Sequence, residues 1–140
     1  MREDLRKLAK PFPKSLVQQL PGKGWSADFV GWYSVQEKLL AVLAVPPSWR
    51  SLERWDTGAG RVFMTVEMVA LVDGELVTVQ ATGEADDNDW LTAESRARCR
   101  CAALIGCGLH LWSQSLYRLP QALDQAVDLS EAEAFLEDDG

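Results

Sequence analysis

The twelve residues from Arg61 to Val72 alternate without a break. Val62, Met64, Val66, Met68, Ala70 and Val72 fall on one side, with Arg61, Phe63, Thr65, Glu67, Val69 and Leu71 on the other. A period of two is the signature of a strand, because successive side chains leave opposite faces of the pleat. Asp73-Gly74 follows, the dipeptide a two-residue hairpin prefers because both central positions want positive φ. Glu75 to Gly83 then alternates Leu76, Thr78 and Gln80 with Val77, Val79 and Ala81. Upstream, Ser48 to Asp56 reads as a further strand, joined through Gly58-Ala59-Gly60. The pattern predicts a three-stranded antiparallel meander packed by helices, an α+β fold.

The covering helices have recognisable limits. Met1 to Lys10 has helical spacing, with Leu5 and Leu8 on one face, and stops at Pro11-Phe12-Pro13. Pro21-Gly22-Lys23-Gly24 is a second break, and Ala27 to Tyr33 reads as a short strand or extended lead-in. Ser34-Val35-Gln36-Glu37 fits a capping box opening a helix through Val35, Leu39, Val42 and Leu43 that ends at Pro46-Pro47. Thr92 is the expected N-cap of a helix running from Ala93 to about Gly106, with Ala97, Cys101, Leu104 and Ile105 as its buried stripe. Ser130 to Glu133 is another capping box.

At 140 residues and 47% apolar, the chain is long enough for one core and too apolar for general disorder. Its net charge of -7 speaks against an unselective polyanion binder. Position changes that inference. Residues 119–140 hold seven acids and no base, residues 1–118 hold equal numbers of each, and the first 23 residues hold six bases against Glu3 and Asp4. The expected organisation is a basic N-terminal segment at 1–23, a core at 24–118 and an acidic tail at 119–140. No apolar stretch reaches the roughly 18 residues that span a bilayer. The N-terminus lacks the apolar run and small-residue site of a secretory signal. Cys99, Cys101 and Cys107, odd in number and clustered, make no disulfide framework, so a reducing, cytoplasmic setting is expected.

Candidate chemistry is sparse. Cys107 and His110 are three apart, but Cys99 and Cys101 face opposite ways and cannot both join them, so the thiols read as structural and no metal is expected. His110, the one histidine, has no nucleophile signature around it. The acids from Asp86 to Asp89 precede a helix, whose positive end they suit. Gly106-Cys107-Gly108 ends a helix and so makes no phosphate cradle. The sequence predicts no catalytic residue and no cofactor. The basic residues say more: Arg96 and Arg100 share a helix face, with Arg98 on the other side. They either solvate that helix or line a groove for a nucleic-acid backbone. The six tryptophans fit core and subunit packing better than base stacking, with Trp32 and Trp55 the candidates for exposure.

Two segments carry a resemblance. The run Ala97-Arg98-Cys99-Arg100-Cys101-Ala102, then Ile105-Gly106-Cys107-Gly108 and Leu111-Trp112, resembles the ALKRCAxxFGIGxxLY run of single-strand annealing proteins of the Rad fifty-two superfamily, in particular its DdrA-like branch. Val35, Glu37, Lys38, Leu39, Val42 and Trp49 are similar to that family's VxDRLNxVxGxxxW pattern, and Pro11-Phe12-Pro13 resembles its lead-in segment. The element order also matches its β-β-β-α core. There are departures: Cys99 stands at the family's lysine, Glu37-Lys38 replaces Asp-Arg, and Leu40, Ala44 and Ile105 replace Asn, Gly and Phe.

The resemblance implies an oligomeric ring or filament that holds single-stranded DNA in a groove. It would anneal complementary strands or protect DNA ends in recombination and repair, with no chemical step. The cations expected to contact DNA are Lys38, Arg96, Arg98 and Arg100, with Arg54 and Arg61 from the sheet. The alternative is a divergent member acting as an oligomeric scaffold or interaction module with weak or no DNA binding. Under the first reading the acidic tail can compete for the groove as a DNA mimic.

Overall fold

The computed structural model describes residues 2–22, 25–113 and 118–125. In chain order these form α1 (Glu3–Ala9), a 3-10 turn (Lys14–Leu16), β1 (Gln18–Gly22), β2 (Trp25–Phe29), α2 (Trp32–Val42), β3 (Ser48–Asp56), β4 (Val62–Val72), β5 (Glu75–Ala85), α3 (Trp90–Leu104), α4 (His110–Ser113) and α5 (Leu119–Gln125). The fold is α+β, as the alternation predicts. β3, β4 and β5 make one antiparallel sheet in that order, while β1 and β2 form a separate two-stranded ribbon. The capping box at Ser130 lies outside the described residues.

β4 is the axis of the core. Its even-numbered side chains from Val62 to Val72 are all buried and its odd-numbered ones half-buried. Asp73 at φ 50° and Gly74 at φ 82° have the paired positive φ of a type I′ turn, which returns the chain as β5 in register Val72 with Glu75. α3 lies on the buried face, where Ala93, Ala97 and Cys101, spaced by four, point at the sheet. Gly83 lies under them: a Cβ there would sit 2.2 Å from the Ala93 carbonyl oxygen and 2.4 Å from the Ala97 nitrogen. The helix therefore rests on strand backbone, and only glycine admits so close an approach.

Several boundaries differ from the sequence expectation. α2 begins at Trp32 after Gly31, two residues ahead of Ser34, and no side chain caps it. The capping box is not used because Trp32 is already helical, its ring edge-on to Trp49 with centroids 5.3 Å apart. α3 is capped by Asp89 instead of Thr92: the Asp89 carboxylate accepts from the Thr92 amide at 3.0 Å and its hydroxyl at 2.6 Å. Positive φ at Asp87 and Asn88 turns the chain early enough for the helix to start at Trp90. Leu104, expected in the buried stripe, is 62% exposed, while Ala93 extends that stripe at the other end. α3 stops in a Schellman motif, with Cys107 N–H bonded to Ala102 O and Gly106 N–H to Ala103 O, and Gly106 at φ 94°.

The segments flanking the meander are tied into it. Leu8, Ala9 and Phe12 are buried. The Asp73 carboxylate accepts from the Asp4 amide (2.8 Å) and the Leu5 amide (3.3 Å), and the Asp4 carboxylate accepts from the Asp73 amide (2.7 Å). The hairpin turn thus caps α1 and is clasped in return. α5 docks through buried Leu123, and Leu119 lies 3.1 Å from where a Cβ on Gly106 would stand. Cys101 and Cys107 are buried and Cys99 half-buried. Burial, opposed by Arg100 at Cys99, by an Ala81 backbone hydrogen bond at Cys101 and by Lys38 at Cys107, pushes each thiol up to about 11. Among the described residues no group of three or more candidate ligands converges on a metal position, and no helix is long and apolar enough to cross a membrane.

Candidate nucleic-acid interface

α3 sorts its arginines by helical spacing. With Ala93, Ala97 and Cys101 against the sheet, Trp90, Glu94 and Arg98 form a ridge on one flank, each four residues from the next, and Arg96 and Arg100 form a ridge on the other. The two ridges meet different surroundings.

On the flank beside β5, both arginines converge on Glu84. Arg100 holds its carboxylate in a fork, at 2.7 and 2.8 Å, and also donates to the Thr82 carbonyl. Arg96 donates to the Glu84 carbonyl at 2.7 Å. Hydrogen bonding from Arg100, opposed by partial burial, holds the Glu84 carboxyl below the usual carboxylate range, and the same contact raises Arg100. A forked, charge-assisted pair of this kind is held in place far better than a single exposed contact.

The opposite flank is aromatic. The Arg98 guanidinium lies 5.7 Å from the Trp32 ring centroid and 5.1 Å from that of Trp49, and it pairs with Glu94 at 2.8 Å. Its Nε is buried and, among the described residues, has no hydrogen-bond partner. Arg54, on the helix-facing side of β3 opposite Met64, lies 5.4 Å from the Trp90 ring. Three tryptophans and two arginines therefore share the side where β3 runs past α2 and α3. Cation–π contact is worth about 0.5–1 kcal/mol when exposed and about 2 kcal/mol when desolvated, so half-buried Arg98 is held more firmly than exposed Arg54.

The remaining two candidate cations stand elsewhere. Lys38 donates to the Lys10 carbonyl at the end of α1 and lies 4.7 Å from the Phe12 ring. Burial lowers its pKa, the Cys107 thiol opposing and Lys10 reinforcing the shift. Arg61 pairs with Asp86 at 3.1 Å and lies 5.6 Å from the Phe63 ring, which in turn stacks on Trp55 at 5.3 Å. The six cations thus divide into the Arg54 and Arg98 pair, the Arg96 and Arg100 pair, and two single positions. His110 accepts from the Phe12 amide at 3.3 Å with its ring tilted against Phe12, a packing role.

Sequence reasoning missed the tryptophans as partners of the arginines. Trp32, Trp49 and Trp90 are half-buried and packed against the core, as expected, yet they also present faces to cations. No spacing within one element signals these contacts, because each joins residues of different elements. Trp55, 40% exposed, is one of the two tryptophans expected to reach solvent, whereas Trp32 is half-buried. The side chains of Trp25 and Trp112 lie outside the described residues. No family model, curated protein or solved structure matches the chain.

Proposed function

We propose that the chain binds single-stranded DNA and, as a homo-oligomer of the ring type found in the family its motifs resemble, anneals or protects strands in recombination and repair. The observation that carries this reading is the surface where Arg54 and Arg98 lie over Trp90, Trp32 and Trp49. Exposed Arg54, its guanidinium over an indole, can turn N–H groups to a phosphate, whereas Arg98 spends one edge on Glu94 and adds positive charge beside indoles whose uncovered parts offer stacking area to bases. Such a surface needs no catalytic group or cofactor, and the activity makes and breaks no covalent bond.

The test is a titration of a labelled single-stranded oligonucleotide across a salt series. Affinity is expected to fall with rising salt, and Arg54→Ala to weaken binding and reduce the slope of log K against log salt by about 0.7, one phosphate contact. Absence of binding at low salt, or an Arg54→Ala variant that binds as the parent does, would sink the proposal.

A second reading is a scaffold or protein-interaction module. It is favoured by the pairing of Arg96 and Arg100 with Glu84, Arg61 with Asp86 and Arg50 with Glu67. This reading expects an assembly whose mass and stability are indifferent to added DNA.

A further inference from the structure

The two edges of the β3-β4-β5 sheet are treated differently. Along the second half of β5, Arg100 and Arg96 from α3 donate to the carbonyls of Thr82 and Glu84, so an incoming strand would meet guanidinium groups instead of free acceptors. Along β3 there is no such cover among the described residues. Its nine residues are exposed except for half-buried Trp49, and among the described residues it pairs only with β4. A long bare edge is a template for strand addition unless something guards it.

The sequence of β3 also fits itself, and an irregularity in the strand decides how. Cross-strand partners share a face of the sheet. Trp49 opposite Met68 and Arg54 opposite Met64 lie on the helix-covered side, whereas Arg50 opposite Glu67 and Glu53 opposite Thr65 lie on the open side. The register shift between Ser51 and Glu53 produces this arrangement; without it Arg50 and Glu53, three apart, would point to opposite faces. Consider a second copy of β3 running antiparallel, with its Glu53 opposite Arg50. Trp49 then stands opposite Arg54 of that copy, both of these pairs have their members on one face, and each occurs twice about the two-fold axis. Setting Arg50 against Arg54 instead would oppose like charges and mix the faces.

We propose that two copies of this chain join edge to edge through β3, forming a continuous six-stranded sheet in which Arg50 pairs with Glu53 of the other copy. Arg50 can take this second partner because its side chain is 70% exposed despite the contact to Glu67, and Glu53 has no ion-pair partner among the described residues. The contact is isologous, so it closes at two copies; within a ring it would join subunits in pairs across a two-fold axis. It rests on the sheet edges alone and stands whether or not the chain binds DNA.

The test is a mass measurement by light scattering over a concentration series, with circular dichroism confirming that each variant is folded. The parent is expected at twice the 15.5 kDa chain mass or an even multiple of it. Arg50→Glu and Glu53→Arg, each placing like charges opposite one another twice, are expected to halve that mass, raising the dissociation constant by ~tenfold or more. The double variant Arg50→Glu/Glu53→Arg should restore it. A monomeric parent, an assembly that neither single reversal disturbs, or a double variant that fails to recover would each overturn the proposal. The double variant separates a lost pairing from a damaged strand, because it carries both substitutions.

Discussion

Gly83 is the residue on which the covering layer depends. With its missing Cβ only 2.2 Å from a helix carbonyl oxygen, Gly83→Ala forces α3 off the sheet along its Ala93 and Ala97 contact. The expected cost is about 3 kcal/mol or more, read as a lower denaturant midpoint. Glu84, next in sequence, gives a pH-dependent prediction. Its folded pKa lies below the ordinary value of 4.5, so its contribution is fully present above that value and is lost as pH falls through the folded pKa. The stability difference between the parent and Glu84→Gln is therefore expected to be constant near neutrality and to shrink below about pH 4.5. Denaturation curves across an acid series measure it.

At the scale of elements, legibility followed the kind of signal. β4, the Asp73-Gly74 turn and β5 were readable because alternation and positive-φ residues are local facts of the backbone. The starts of α2 and α3 were not, because each had a suitable cap a few residues inside the true end. Trp32 packing on Trp49 and the charged carboxylate of Asp89 decided the matter through contacts that residue types alone do not reveal. The candidate site was half legible for the same reason: the cations could be named, but their stacking on tryptophans from three different elements is a tertiary fact. Gly106 joins two elements, since it ends α3 and lies against Leu119 of α5. Gly106→Ala, strained at φ 94°, is expected to cost about 1–2 kcal/mol and to speed amide exchange in α5 more than in β4.

For the molecule as a whole, net charge is less informative than its placement. The acidic segment from residue 119 opens with α5, which occupies Leu119–Gln125 and buries Leu123. A truncation that tests competition between tail and DNA must leave that helix whole. Removing residues 126–140 takes away six of the 21 acids without touching α5. Under the proposed function this deletion is expected to raise affinity for single-stranded DNA at low salt and to have little effect at high salt, where charge is screened. An unchanged low-salt affinity would dispose of the competition. The reciprocal clasp between Asp4 and Asp73 has a consequence in time as well as in structure. Each hairpin of the meander can close between neighbours in sequence, but this clasp joins residues 69 positions apart and must wait for the turn that supplies its acceptor. The N-terminal helix is thus expected to be fastened late in folding, after the transition state. Asp73→Gly, which keeps the turn and removes the two hydrogen bonds accepted by the Asp73 carboxylate, should quicken unfolding while leaving refolding nearly unaltered.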